Sequence, residues 1–273
     1  MNRLTLLSLL KRLVGLRSTL ATPYTYHPGD VVVEDFSEFS SIPLTDVCSR
    51  VSACHRLIGD EWKEVGGETS ARQSAQFYEI SQNFIFDTLS ANARPEMVID
   101  KLNRFDPMIL DAINSHCGRH LLDFGGGIGV FCEIAARMGK QVYYMELPGL
   151  AFEFAAWRYK KYRLPVSMIE AKVDRIDIPG QYDIVYTDAV VEHLPPVVQA
   201  EAVEALAGAV RAGGLLVLLI DLSGPSDDAP MHYDVDISGL HRLLDRAGLN
   251  CDRGVSSFCS LWRRSGESKN RQL

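Results

Sequence analysis

The chain has no C-x-x-C pair, no apolar run of membrane-spanning length, no internal repeat and no excess of basic residues. Each absence removes a class. Without paired cysteines at ligand spacing, the six cysteines do not read as a zinc ribbon or finger, and we take them as reduced thiols of a cytoplasmic protein. A bilayer span needs about 20 apolar residues in a row, and none is present. The net charge is −7, whereas a nucleic-acid partner calls for a basic face, so no nucleic acid is expected. With 47% hydrophobic and 23% charged residues, the 273-residue chain has ordinary material for a packed core.

Acidic residues are missing locally as well. From Met1 to Gly29 there is none, while Arg3, Lys11, Arg12 and Arg17 are basic. Leu6, Leu9, Leu10, Leu13 and Leu16 recur at helical spacing, so residues 1–20 read as a basic amphipathic helix. A transit peptide, an interfacial membrane helix, a partner-docking helix and a helix folded onto its own domain all fit that pattern. A secretory signal fits poorly, because Lys11-Arg12 interrupts the apolar run.

Residues 21–75 are broken by Pro23, Pro28-Gly29, Pro43 and Gly66-Gly67, with a short β-like run at Val31-Val32-Val33. Helical periodicity resumes over residues 77–89 and 95–103. Tyr78 and Phe84 form an aromatic stripe there, read as core.

The rest of the chain is more regular. Leu121-Leu122-Asp123-Phe124 is an apolar strand ending beside a carboxylate, then come Gly125, Gly126, Gly127 and Gly129, then a helix over residues 130–138. Glycines between a strand and a helix let backbone N–H groups approach a ligand with no Cβ in the way. A dinucleotide G-x-G-x-x-G begun at Gly125 requires a third glycine at position 130, which is Val130. The spacing is instead D-x-G-x-G-x-G.

Strands then alternate with helices: strands over 142–145, 166–169, 182–186 and 215–220, helices over 150–162, 197–211 and 237–247, and a strand pair within 249–262. Such alternation specifies a doubly wound, mostly parallel α/β sheet, whose ligands bind beyond the carboxyl ends of the strands. Glu146 follows the second strand, 17 residues past Gly129. A carboxylate there accepts two hydrogen bonds from a ribose diol, and Leu147 is placed to pack on a base. Glu170 and Ala171 follow the third strand, with Asp174 as an alternative acid. Asp188 follows the fourth, ahead of Glu192-His193-Leu194-Pro195.

Over residues 105–262 these motifs resemble the class I S-adenosylmethionine (SAM) methyltransferases, in their small-molecule branch. The resemblance implies a Rossmann-like seven-stranded sheet with helices on both faces, plus a mainly helical N-terminal extension. It implies an extension over 1–104, a SAM-binding domain over 105–265 and a polar tail over 266–273. It further implies SAM as cofactor, contacted by Asp123, Gly125, Gly126, Gly127, Gly129, Glu146, Leu147, Glu170 and Ala171, with Asp188 toward the methionine ammonium group. The expected activity is methyl transfer to an O, N or C atom of a small metabolite. His193 and His232 are the candidate bases, and no metal is expected. Two alternatives remain open on the sequence: a metal-dependent O-methyltransferase using Asp188 and Asp221, and a non-catalytic partner-binding module of the same fold.

Overall fold

Leu121, Leu122, Asp123 and Phe124 alternate across the two faces of a central strand, so each face must be covered. A computed structural model shows how, describing residues 24–66, 71–172, 175–226, 229–256 and 259–266. The expectations for the helix over 1–20, for Asp174 and for the tail beyond Gly266 lie outside the described residues.

Among the described residues seven helices precede that strand: α1 (Val31–Ser40), α2 (Leu44–Ser52), α3 (Cys54–Val65), α4 (Ala71–Ile80), α5 (Phe84–Ala91), α6 (Pro95–Phe105) and α7 (Met108–Ser115). The alternating part comes next as β1 (His120–Phe124), α8 (Val130–Arg137), β2 (Gln141–Glu146), α9 (Leu150–Tyr162), β3 (Val166–Glu170) and β4 (Tyr182–Asp188). A single 3₁₀ turn (Val191–His193) leads into α10 (Pro196–Ala209), β5 (Val210–Leu219), α11 (Ile237–Arg246), β6 (Leu249–Ser256) and β7 (Cys259–Arg264).

The sheet order is β3-β2-β1-β4-β5-β7-β6. All pairs are parallel except those that β7 makes with β5 and β6. The chain leaves β1 toward β2 on one side and returns to β4 on the other, and that reversal opens a crevice at the carboxyl ends.

Leu121, Tyr144, Tyr186 and Val217 share one buried cluster with Val32, Phe36, Trp62, Phe77 and Phe86 of the early helices. Leu122, Met145, Val185 and Leu216 point the other way, against Leu206 and Leu244 of α10 and α11. The early helices therefore close the sheet's first face with the same core that α8 and α9 use.

Three expectations need correction. The valine run over 31–33 is the start of α1, not a strand. Val32, Val33 and Phe36 are buried on one helical face while Val31 is 37% exposed, a pattern of period 3.6 rather than 2. The helix expected over 77–89 is two helices, α4 and α5, broken at residues 81–83. The Glu61 carboxylate makes that break, accepting from the Ser81 hydroxyl at 2.6 Å and from the Gln82 N–H at 3.0 Å. Finally, α10 ends at Ala209 and β5 begins at once, rather than a helix running to residue 211.

Candidate active site

β1 delivers its carbonyl end to the crevice, and the glycine loop turns there. Gly125 and Gly126 donate their N–H groups to the Met145 carbonyl, at 2.8 and 3.2 Å, which fastens the loop to the end of β2. Gly129 has φ +74°, and a Cβ on it would fall 2.0 Å from the Tyr159 hydroxyl oxygen. Only glycine fits, because α8 must pass close to α9. Gly127 differs: its φ is +53°, yet a Cβ there would meet nothing within 4 Å. Its N–H and carbonyl are held by Glu146 and the Tyr144 hydroxyl, and the open space on its Cα side leaves room for a ligand.

Glu146 ends β2 opposite that loop. One carboxylate oxygen accepts from the Gly127 N–H at 2.8 Å and the other from the Leu147 N–H at 2.8 Å. Burial raises its pKa, and the two backbone donors oppose the rise. The group is thus fixed in direction, with acceptor capacity remaining on each oxygen. The Ala171 N–H donates to the Glu146 carbonyl at 2.8 Å, bringing the end of β3 alongside.

Asp123 lies deeper, 2% exposed, accepting from the Cys132 thiol at 3.1 Å. Burial pushes its carboxyl up to about 7. Asp188, at the end of β4, already has partners: the Lys101 ammonium and the Tyr186 hydroxyl, the latter at 3.0 Å.

A cavity of about 1180 Å³ joins these residues. Its wall includes Asp123, Gly125, Gly126, Gly127, Glu146 and Leu147, and also Glu170, Ala171 and Asp188. Gly129 sits outside this wall, against Tyr159. The opposite wall comes from the early helices, through Tyr78, Phe84, Asp87 and Lys101. Single-ligand pockets run to about 1,000 Å³, so this volume suits a cofactor and a second molecule together.

His193 lies on the cavity wall with its Nδ1 2.8 Å from the Tyr78 hydroxyl. Burial, reinforced by the neighbouring His232, lowers its pKa to about 3, so the ring is neutral at physiological pH. His232 packs edge-on against His193, with ring centroids 4.6 Å apart, and stands behind it rather than on the cavity wall. Glu192 faces inward: its carboxylate accepts from the Asp221 N–H at 2.7 Å, and its carbonyl accepts from the Tyr233 N–H at 2.7 Å. Glu192 therefore pins the loop after β5 beneath His193. Its other oxygen is buried without a hydrogen-bond partner among the described residues, and burial raises the carboxyl to about 8.

The metal-dependent alternative loses its ligands in this arrangement. Asp188 is neutralised by Lys101 rather than directed at Asp221. Among the described residues, the three-residue cluster with metal-ligand spacing is Cys54, His55 and Asp87, which contains neither.

Sequence reading missed Lys101, Tyr78 as a partner of His193, and Asp87. No local pattern marks them. The Lys101–Asp188 and Tyr78–His193 contacts join residues 87 and 115 positions apart.

Residues 122–218 match a family model described as a methyltransferase domain. A ubiquinone biosynthesis O-methyltransferase of Albidiferax ferrireducens is 31% identical over 119 residues, covering 41% of this chain and 46% of that protein. Its counterpart in Bordetella pertussis is 27% identical over 155 residues, 54% of this chain and 64% of that one. The matched region thus spans about half the length of the curated relatives. A solved O-methyltransferase family protein of Burkholderia thailandensis has the same fold. Its TM-score is 0.56 at 16% identity, and the match covers 81% of this chain and 73% of that one. Residues 122–218, which include the glycine loop, are thus similar to a methyltransferase domain, and they sit in a seven-stranded fold shared with a solved O-methyltransferase family protein.

Proposed function

We propose that this chain transfers the methyl group of SAM to an oxygen atom of a small metabolite. One observation carries the proposal: Glu146 is locked by two backbone N–H groups at the cavity wall, beside the open space that Gly127 leaves for want of a side chain. That pair fits a ribose diol lying along a glycine loop. Oxygen is favoured over nitrogen or carbon because the curated relatives are named as O-methyltransferases.

When bound, SAM supplies an electrophilic sulfonium methyl group, so the protein's task is placement more than bond activation. Glu146 holds the ribose, Leu147 covers the base, and Glu170 with Ala171 meets its edge. Asp188 and Lys101 together present both charges that complement an amino-acid zwitterion, an anion for its ammonium group and a cation for its carboxylate. At neutral pH His193 is a neutral hydrogen-bond acceptor on the cavity wall. In this proposal it orients an acceptor hydroxyl, with Tyr78 fixing its tautomer and the His232 ring packed edge-on behind it. The helices α4 to α6 form the lid of the acceptor side. Six free thiols suit a reducing compartment such as the cytoplasm. No helix among the described residues is long and apolar enough to cross a membrane.

Titration calorimetry with SAM is the test. Saturable binding is expected, and Glu146→Ala weakens it by about 1–3 kcal/mol, the scale of hydrogen bonds to a charged group. Absence of binding at millimolar SAM overturns the proposal and favours the non-catalytic alternative. Unchanged affinity in Glu146→Ala overturns the ribose assignment alone.

A further inference from the structure

The early helices carry a second cluster, away from the glycine loop, which meets the cavity at Asp87. Cys54 and His55 open α3, and Asp87 lies in the middle of α5, 33 residues after Cys54. The Cys54 thiol sits 3.8 Å from an Asp87 carboxylate oxygen. One ligand atom from each of Cys54, His55 and Asp87 lies within 4.8 Å of the other two. We propose that these three side chains bind a borderline-soft divalent cation of the zinc class.

Several physical points converge on that cation. With metal–ligand bonds of about 2.0–2.3 Å, neighbouring ligands of a tetrahedral site lie about 3.5 Å apart. The sulfur–oxygen distance is already near that value, and small side-chain rotations bring in the imidazole. Thiolate and carboxylate together carry two negative charges, so a dication leaves the cluster neutral. Neutrality matters here because Cys54 is 2% exposed and an uncompensated charge would be costly. A thiolate ligand selects zinc or cobalt over magnesium or calcium, which prefer all-oxygen sets. Three protein ligands leave one tetrahedral position, and Asp87 is itself part of the cavity wall.

The Cys54 thiol donates to the Asp87 carboxylate. Binding therefore releases its proton: Cys–SH and M²⁺ give the metal thiolate and H⁺, with no change of oxidation state. The site joins α3 to α5 and so braces the lid, whether or not the cavity transfers methyl groups. A C-x-x-C motif was the zinc signal to look for in the sequence. Here the ligands come instead from two helices that meet only in the fold.

The test is titration of the whole, chelator-treated chain with Co²⁺. Expected are one-to-one saturation, a thiolate-to-cobalt charge-transfer band, visible bands of four-coordinate cobalt, and displacement by Zn²⁺. Cys54→Ser abolishes the charge-transfer band, Cys48→Ser retains it, and Asp87→Asn weakens binding at least tenfold, with circular dichroism checking that each variant is folded. In a parallel arm, Zn²⁺ raises the Tm of the wild-type chain but not that of His55→Gln, a half-buried position chosen to spare the core. Lack of a saturable band in the wild-type chain, or a band that survives in Cys54→Ser, overturns the assignment.

Discussion

Glu192 is a carboxyl group held fully away from water, and its sequence neighbour His193 lines the cavity as a neutral ring. Burial moves them in opposite directions, Glu192 up to about 8 and His193 down to about 3. The folded chain therefore keeps a proton on Glu192 that the unfolded chain releases above its ordinary value of 4.5. Stability from that group is full below about 4.5 and is lost as pH rises toward 8. For His193 the unfolded chain takes up a proton below 6.5 and the folded chain does not, so stability falls as pH drops from 6.5 toward 3. In urea denaturation across pH, Glu192→Gln should flatten the decline between 5 and 8. Asp123, raised to about 7, leaves part of that slope in place. His193→Asn should flatten only the acid side. An unaltered profile in both variants would show that neither group is held in its neutral form.

At the same scale, the strand-end residues that line the cavity were legible. Glu146 and the glycines are marked by their position after strands, and strand ends in a doubly wound sheet converge. Lys101, Tyr78 and Asp87 were not legible, because their significance arises from partners far along the chain. His232 was chosen for lying in a loop near the strand ends. It reaches the site only through His193.

Elements followed their periodicity where local burial decides them, as in α9, whose bounds match the expected 150–162. They departed where a distant side chain intervenes. Residues 77–89 have one helical pattern, but Glu61 draws the Ser81 hydroxyl and the N–H groups of Gln82 and Asn83 out of it. Ser81, two residues ahead of the N-cap Asn83, then accepts from the Phe84 N–H at 2.9 Å and holds the first turn of the second helix. The break lets Tyr78 and Phe84 pack edge-on, centroids 4.9 Å apart, and both ring edges approach His193. Glu61→Ala should therefore cost about 1–3 kcal/mol, since it removes charge-assisted bonds and strands backbone donors at the bend. Glu61→Gln should recover part of the loss. Guanidinium denaturation checks both, and a loss below about 0.5 kcal/mol in the alanine variant would leave the bend to be explained by packing alone.

On the scale of the whole molecule, the first helices and the sheet share more than a hydrophobic core. Arg158 of α9, 1% exposed, donates to Asp35 of α1 at 3.0 Å and to Glu133 of α8 at 2.6 Å. Lys161 and Tyr162 add further donors to Asp35, at 2.8 Å each. Nothing in the local sequence signals this network, since its acids lie in α1 and α8 and its bases in α9. Removing the central cation takes one partner from each of two buried acids, while Asp35 keeps Lys161 and Tyr162 and Glu133 keeps Arg137. Arg158→Met is expected to lower stability by less than the roughly 3–5 kcal/mol of a buried charge left wholly unpaired. Because α1 shares its core with β1 and β2, the loss should appear equally at both ends of the molecule. Trp62 in α3 and Trp262 in β7, each 1% exposed, report on those ends in variants retaining only one tryptophan. Coincident midpoints, shifted together by Arg158→Met, are expected for one cooperative unit. If Trp62 melts at lower denaturant than Trp262 before the mutation, the early helices unfold independently and the network holds only the joint between two units.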